Sequence, residues 1–149
     1  MYEVSCALNY CHQRRIVHRD IKLENIMLRE RGSINRGVII IDFGLAGNLQ
    51  KMKEYHLEGT IKYAPPELMS GSNLHADPAF DVWTLGVLMY RLVSGIYPFE
   101  GNTFAEVKKS ILTHNPDFPI ENFEFISDSC VALIKLMLNK DSTKRPKLY

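Results

Sequence analysis

Eight consecutive residues, His18 to Asn25, bring together a histidine, two acids, two bases and an asparagine. This stretch, HRDIKLEN, lies between the apolar runs IV and IML. Two interpretations are open: a solvated charged loop, or a local site in which each charge meets a different partner. The formal net charge of the chain is only +1. Recognition of phosphate would therefore have to come from a local site of this kind, and nothing global favours nucleic acid or an anionic membrane as a partner.

A second polar motif, Asp42-Phe43-Gly44, follows Asn25 by seventeen residues, beyond two short apolar runs. H-R-D-x-K-x-x-N followed by D-F-G resembles the signature of the eukaryotic protein kinases. The resemblance continues in order through GTIKYAPPEL, DVWTLGVLMYRLVSGIYPF and DSTKRP, and covers essentially the whole chain. Five ordered motifs make it highly specific. Within this family, the chain resembles the calmodulin-dependent and AMP-activated-like kinases more than the tyrosine or proline-directed groups.

The resemblance implies transfer of the γ-phosphate of ATP to a hydroxyl group of a protein substrate. Asp20 would accept or orient the proton of that hydroxyl, and Lys22 would lie against the γ-phosphate as a compact point charge. Asn25 and Asp42 would hold Mg²⁺, a hard cation that prefers oxygen ligands. Met27, on the strand that follows, would belong to the apolar floor under the adenine. A lysine two residues after the catalytic aspartate is the Ser/Thr-kinase pattern, which predicts serine and threonine substrates.

Two further residues are assigned to the substrate side by the resemblance. Glu24 occupies a position where kinases with basic substrates often place an acid that pairs with a substrate arginine. The alternative, an exposed loop glutamate, is equally open. Thr60 is the sole Ser or Thr between Asp42 and Glu67, and in the family it serves substrate binding beside the catalytic aspartate.

Arg19 raises the question of how the segment after D-F-G is regulated. In the family this arginine normally meets a phosphate on that segment, yet Thr60 is not the usual regulatory site. We hypothesise that Glu54 or Glu58 supplies a standing negative charge, or that Tyr55 is phosphorylated.

Five residues are expected to support the site. By resemblance, His18 packs near Phe43, and Arg145 pairs with Glu67 in a partly buried ion pair. Asp81 alone could be a helix cap, and by resemblance its carboxylate also fastens the backbone of the catalytic loop. Taken singly, His18 would be a core histidine and Arg145 a surface charge.

The hydrophobic pattern predicts a mainly helical chain. The resemblance implies a protein-kinase-like α+β fold, of which this chain is the larger, C-terminal lobe. A β-hairpin is expected to carry the catalytic and metal-binding loops, with RERGSINRG as its turn. A long loop is predicted from Asp42 to Glu67, because hydrophobic periodicity disappears there and Pro65 and Pro66, near its end, do not fit a helix interior. Helices are predicted at residues 1–13, 80–93, 104–112 and 127–138, the second apolar on nearly every face and the last with Val131, Ile134 and Leu138 inward.

The sequence contains no G-x-G-x-x-G and no V-A-x-K strand, which supply the other wall of the nucleotide site in kinases. We therefore expect a partial kinase domain whose N-lobe and final helix lie elsewhere in the full-length protein. Alone, residues 1–149 are expected to be inactive, with Met27 and Leu85 partly exposed where that lobe would lie. The alternative is a non-catalytic or pseudokinase product that acts as a binding or scaffold module.

Cysteine content and hydropathy bear on the compartment. The chain has three cysteines, Cys6, Cys11 and Cys130, and none of them is part of a C-x-x-C motif. The odd number and the spacing argue against a disulfide framework or a zinc site. The longest apolar stretch is interrupted by Arg91 and is shorter than the ~20 residues of a membrane span. An intracellular protein, cytoplasmic or nuclear, is the expectation.

Overall fold

The computed structural model describes residues 1–30, 33–46, 60–71 and 77–148. Over these ranges the chain is mainly helical with one small β-hairpin, which confirms the predicted fold class. The α-helices are α1 (Tyr2–Gln13), α2 (Pro66–Ser70), α3 (Ala79–Ser94), α4 (Phe104–Thr113), α5 (Ile120–Phe123) and α6 (Asp128–Met137). The strands are β1 (Ile26–Glu30) and β2 (Ser33–Ile40), and 3₁₀ helices span Leu23–Asn25, Thr60–Tyr63 and Ser142–Lys144.

Helix α3 is the centre of the core. Its sequence is apolar on nearly every side, and eleven of its sixteen residues are buried, from Phe80 through Trp83 and Tyr90 to Ser94. A helix that is apolar all round must be covered on all sides. Here α5, α6 and the flanking 3₁₀ helices pack around it. The predicted helix at 80–93 is thus confirmed, one residue longer at each end.

Two surface helices start at side-chain caps. The Oγ1 atom of Thr103 accepts a hydrogen bond from the backbone N–H of Glu106 at the start of α4. The Oγ atom of Ser127 accepts from Cys130 N–H at the start of α6. Such caps satisfy backbone donors that the helix itself leaves unpaired. Both helices match their predicted ranges to within one residue.

The inward face of α6 follows the predicted spacing. Ile134 and Leu138 are buried, whereas Val131 is half-buried against the same core. Met137 completes this face and meets α3 at Gly86, whose missing side chain allows the two helices to approach closely.

The hairpin strands are longer than the sequence predicts. β1 and β2 pair antiparallel from Ile26 opposite Ile40 to Glu30 opposite Ser33. Ser33 to Gly37, assigned above to the turn, therefore belong to β2, because strand pairing is a backbone interaction and does not require apolar side chains. β2 is also attached to α1, since the Glu3 carboxylate accepts a hydrogen bond from Val38 N–H at 2.7 Å.

The prediction of a loop extending to Glu67 is also wrong at its end. The chain forms a 3₁₀ helix at Thr60–Tyr63, and α2 begins at Pro66. Proline fits the first helical position, where its missing N–H is not needed and its fixed φ is helical. The pattern analysis also missed α5, a single turn that follows Pro119.

Candidate active site

The charged loop after α1 is anchored on the core helix through Asp81. This residue is completely buried in the first turn of α3. Its Oδ2 atom accepts a hydrogen bond from the backbone N–H of His18 at 2.8 Å, and its Oδ1 atom accepts from Arg19 N–H at 2.7 Å. The expected fastening of the loop is thus present. Asp81 does not cap α3, because it lies inside the first turn and the residue before the helix is Pro78.

Asp81 also binds a residue of α1. The Nε2 atom of His12 lies 2.8 Å from Asp81 Oδ2. One buried carboxylate therefore joins α1, the charged loop and α3. The role of His12 could not be predicted from the sequence, because His12 belongs to the amphipathic α1 and no motif links it to a residue 69 positions later.

These bonds hold the loop in an unusual conformation. Arg19 has a φ of +69°, and Asp42 of the second motif has a φ of +62°. Non-glycine residues rarely adopt this left-handed region, and each instance costs of order 1–3 kcal/mol unless its surroundings enforce it. Arg19 is also buried, and this burial lowers the pKa of its guanidinium against the opposing effect of Asp81.

Asp20, Lys22 and Asn25 form a compact polar group. Lys22 Nζ lies 2.9 Å from Asp20 Oδ2. Asn25 Nδ2 donates to the same Oδ2 atom and to the backbone oxygen of Asp20, both at 2.8 Å. The orientation of the Asn25 amide is therefore determined, because a flipped amide would place its oxygen against two oxygens. Its Oδ1 atom is the one that points away from Asp20.

His18 connects the two motifs. Its ring packs edge-on against Phe43 with 4.6 Å between the centroids. Its Nδ1 atom accepts from Asp20 N–H at 3.2 Å, so Nε2 carries the proton that is donated to Ile41 O at 3.1 Å. Ile41 N–H in turn donates to Asn25 O at 2.9 Å. The segment that leads into Asp42 is thereby bonded directly to the charged loop.

Asp42 and Asn25 carry side-chain oxygen atoms, the type of ligand that Mg²⁺ prefers. Asp42 is exposed, and its Oδ1 atom accepts from Gly44 N–H at 3.0 Å. A Cβ on Gly44 would approach the same Oδ1 atom to 2.9 Å, so glycine preserves this carboxylate position. Among the described residues, no group of three or more His, Cys, Asp or Glu side chains is arranged to hold a metal ion. Mg²⁺ needs no such cluster, because it is usually held by one or two protein groups together with phosphates and water.

The predicted pair between Glu67 and Arg145 is present. Arg145 Nη1 and Nη2 lie 2.7 Å and 2.8 Å from the two carboxylate oxygens of Glu67. Arg145 also donates to the backbone oxygen atoms of Asn139 and Ala79. This arginine therefore joins α2, the start of α3 and the segment that follows α6.

Met27 and Leu85 were both expected to be partly exposed, but they differ in exposure. The Met27 side chain is 53% exposed, whereas Leu85 is only 2% exposed. The expectation for Leu85 is wrong because every residue of α3 from Phe80 to Leu88 is buried within this chain. Glu24 is exposed, and its Oε1 atom lies 3.8 Å from Arg91 Nη1. The sequence analysis noted Arg91 solely as a break in an apolar run and missed this contact.

The remaining predicted residues belong to the segment after D-F-G. Thr60 begins the 3₁₀ helix Thr60–Tyr63, and its side chain lies outside the described residues. Glu54, Tyr55 and Glu58 lie outside them as well, so the hypotheses on standing charge and phosphorylation stay predictions.

Comparison with known proteins identifies the family. The profile described as "Protein kinase domain" matches residues 1–148. The chain belongs to the protein kinase family. It is 38% identical over 145 residues to the probable serine/threonine-protein kinase MARK-A of Dictyostelium discoideum, covering 96% of this chain and 13% of that protein. It is 36% identical to calcium-dependent protein kinase 6 of Plasmodium berghei (strain Anka), covering 98% of this chain and 10% of that protein.

A third relative shows how much of a kinase this chain represents. Aurora kinase B of Danio rerio is 36% identical over 145 residues, which are 97% of this kinase chain and 42% of that protein. The chain therefore spans less than half the length of each of these relatives. Within the described ranges, no helix of the kinase chain combines the length and hydropathy needed to cross a bilayer.

Proposed function

We propose that this chain is the catalytic lobe of a protein serine/threonine kinase, which transfers the γ-phosphate of ATP to Ser and Thr hydroxyls of protein substrates. The observation that carries the proposal is the contact of Lys22 and Asn25 with a single oxygen atom of Asp20. A solvated charged loop would leave these groups to water. Here Asp20 and Asn25 are buried within a loop that the core helix holds in place.

In the proposed reaction, Asp20 accepts the hydrogen bond of the substrate hydroxyl and orients that oxygen for in-line attack. Two donors on its Oδ2 atom fix the carboxylate, so little reorganisation is needed when the hydroxyl arrives. Lys22 has three N–H donors. It can keep its bond to Asp20 while it donates to an oxygen of the transferring phosphoryl group.

Asn25 and Asp42 are the proposed ligands for Mg²⁺, through Asn25 Oδ1 and the Asp42 carboxylate. Mg²⁺ would neutralise phosphate charge when bound. The contribution of the protein is to position these oxygens. The Asp20 contacts orient the Asn25 amide, and Gly44 N–H holds one oxygen of Asp42.

We further propose that residues outside this chain complete the ATP site. The sequence has no glycine-rich phosphate loop, and Met27, which would lie under the adenine, is half-exposed. Residues 1–149 alone are accordingly expected to transfer no phosphate. Calorimetry should find no binding of Mg-ATP at micromolar concentration, and micromolar affinity would contradict this part of the proposal.

A non-catalytic role as a binding or scaffold module is the second candidate. It is favoured by the same half-exposed hairpin, because Met27, Leu28 and Ile39 present apolar surface to solvent. Labelled ATP distinguishes the two roles when it is supplied to the longest natural protein that contains this chain. Radioactive phosphoserine or phosphothreonine in a protein substrate supports the kinase. Phosphotyrosine alone, or no transfer with intact partner binding, overturns it.

A further inference from the structure

Two cations share one aromatic ring beside the candidate catalytic loop. The Arg91 guanidinium carbon and the Lys62 ammonium each lie 4.6 Å from the centre of the Tyr97 ring. The two charges are therefore no farther apart than twice that distance. We call Lys62, Arg91 and Tyr97 the basic cluster. Cation–π contacts of this kind stabilise the charged side chains in a defined position.

Arg91 is fixed in place by a second bond. Its Nη1 atom donates to the hydroxyl oxygen of Tyr63 at 2.9 Å, and Tyr63 is buried. This hydrogen bond raises the pKa of Arg91. The guanidinium is thus a permanent and oriented charge, which reduces the conformational entropy lost when it binds an anion.

Tyr63 and Glu24 connect the basic cluster to the surroundings of Asp20. Tyr63, which holds Arg91, lines the same small cavity as Asp20. Glu24, four residues after Asp20 in the chain, is within 3.8 Å of Arg91. A protein segment whose hydroxyl reaches Asp20 would therefore pass the basic cluster with its neighbouring residues.

The charges of this surface do not suit a basic substrate. Glu24 is the acid that could attract a substrate arginine, but Arg91 lies beside it and would repel that arginine. The Glu24 side chain is 61% exposed, so its pairing with Arg91 is weak and leaves most of the positive potential in place. In the described part of the chain, no carboxylate lies within ion-pair distance of Lys62.

We propose that the basic cluster selects protein substrates with an anionic side chain, a carboxylate or a phosphate, close to the target serine or threonine. Arg91 and Lys62 are the specificity-determining residues. Glu24 partly neutralises their positive charge and does not bind a substrate arginine. This inference rests on the proposed function, because it places the target hydroxyl at Asp20.

Peptide binding to residues 1–149 tests the inference without any phosphate transfer. Four fluorescein-labelled peptides would share one sequence around a central serine, with two flanking positions occupied by Glu, phosphoserine, Gln or Arg. Fluorescence anisotropy then gives each dissociation constant at low salt and at about 0.3 M salt. We expect the Glu and phosphoserine peptides to bind about three- to tenfold more tightly than the Arg peptide, with the difference smaller at high salt.

Two charge reversals and one matched control complete the experiment. Lys62→Glu should abolish the preference for anionic peptides and leaves the bond between Arg91 and Tyr63 intact. Arg91→Glu should reverse the preference, since it places a second acid beside Glu24. Arg29→Glu makes the same charge change on the exposed face of β1 and should alter each dissociation constant by less than about twofold. Circular dichroism verifies that every variant is folded.

Several results would overturn the inference. These are equal affinity for all four peptides, tighter binding of the Arg peptide, equal effects of Lys62→Glu and Arg29→Glu, or no binding of any peptide up to about 1 mM. Tighter binding of the phosphoserine than the Glu peptide assigns the anion as phosphate, and the reverse assigns it as carboxylate. If residues 1–149 select anionic peptides but the longest natural protein that contains them never transfers phosphate, the proposed function is refuted and the charge preference of the basic cluster stands. An active kinase that prefers arginine does the opposite.

Discussion

Arg145 and Glu67 form a two-point ion pair that joins the end of the described chain to α2, with contacts of 2.7 Å and 2.8 Å. Arg145 is buried, whereas the Glu67 side chain keeps 18% exposure. The planar guanidinium matches the two carboxylate oxygens, a geometry that lysine cannot reproduce. Arg145 also satisfies two backbone carbonyl groups from other elements.

Removal of this arginine should therefore be costly. We expect Arg145→Met to lower the free energy of unfolding by about 3 kcal/mol, the low end for a broken buried pair, because Glu67 retains some contact with water. Urea unfolding measures the change. Lys144→Met is the matched control, since Lys144 belongs to an exposed i,i+3 pair with Asp141 and should cost less than about 0.5 kcal/mol. Similar losses in the two variants would contradict this account of Arg145.

The anchor at Asp81 predicts a local effect on the charged loop. Asparagine in place of Asp81 keeps the shape but offers one acceptor oxygen where the carboxylate offers two. Either His18 N–H or Arg19 N–H then loses its buried partner, a loss of about 1–3 kcal/mol. Hydrogen exchange at that amide should accelerate about tenfold or more in Asp81→Asn.

Asp77→Asn provides the control for this exchange experiment. The Asp77 side chain accepts from Ala79 N–H at 2.9 Å through a single oxygen, which asparagine can replace. The amides of His18 and Arg19 should then exchange at the wild-type rate. Equal acceleration in both variants would mean that Asp81 does not anchor the loop specifically.

The lowered pKa of Lys140 predicts that the free energy of unfolding increases at alkaline pH. Burial, together with the positive charge of Arg145, lowers the pKa of Lys140 to about 8 from 10.5. Since the unfolded chain then binds more protons than the folded chain above pH 8, stability should increase as the pH rises from 8 toward 10. The Nζ atom lies 4.0 Å from the centre of the Phe99 ring, a contact that favours the charged form. We therefore expect a gain on the order of 1 kcal/mol only.

Above pH 10, Tyr90 should reverse the trend. Its burial, with Asp117 nearby, raises its pKa to about 12, so the unfolded chain loses the phenolic proton first and the folded state becomes less favourable. Urea unfolding between pH 7 and 11 should show a maximum near pH 10. Lys140→Met should remove the rise and keep the fall. A rise of the same size in that variant would assign it to another group.

At Gly86, close packing should outweigh helix propensity when alanine replaces the glycine. Alanine at an ordinary helix position is more favourable than glycine by roughly 1 kcal/mol. At Gly86, however, a Cβ would approach the Cβ of Met137 to 2.8 Å and Leu138 Cδ2 to 3.1 Å. We expect Gly86→Ala to destabilise the fold by about 1–3 kcal/mol, because the interface between α3 and α6 is overpacked. Thermal unfolding checks the sign, and a stabilised variant would show that α6 can shift freely.

The elements that could be predicted are those with a strong local pattern. The predicted helices at 80–93 and 127–138 agree with α3 and α6, because hydrophobic periodicity is a short-range property. The extent of the hairpin strands could not be predicted, because backbone pairing leaves no hydrophobic pattern. The start of α2 could not be predicted either, because a proline at the first helical position leaves no such pattern.

The candidate site divides in the same way. The family resemblance predicts the site residues of HRDIKLEN and DFG and the pairing of Glu67 with Arg145. His12 and Arg91 could not be predicted, because their partners Asp81 and Tyr63 lie far away in sequence and are brought close by packing alone. Arg91 also changes the interpretation of Glu24. Instead of binding a substrate arginine, Glu24 partly neutralises a basic surface.

The central claim is that Asp20 orients the substrate hydroxyl for phosphoryl transfer. Its most direct test is the rate at which the longest natural protein containing this chain transfers the γ-phosphate of ATP to a serine peptide. Asp20→Asn should lower that rate by about 100-fold or more, the usual loss when a positioned acid or base is removed. Asp128→Asn, the same change at an exposed position of α6, should leave it within about twofold. A wild-type rate in Asp20→Asn, or an equal loss in both variants, would contradict the account.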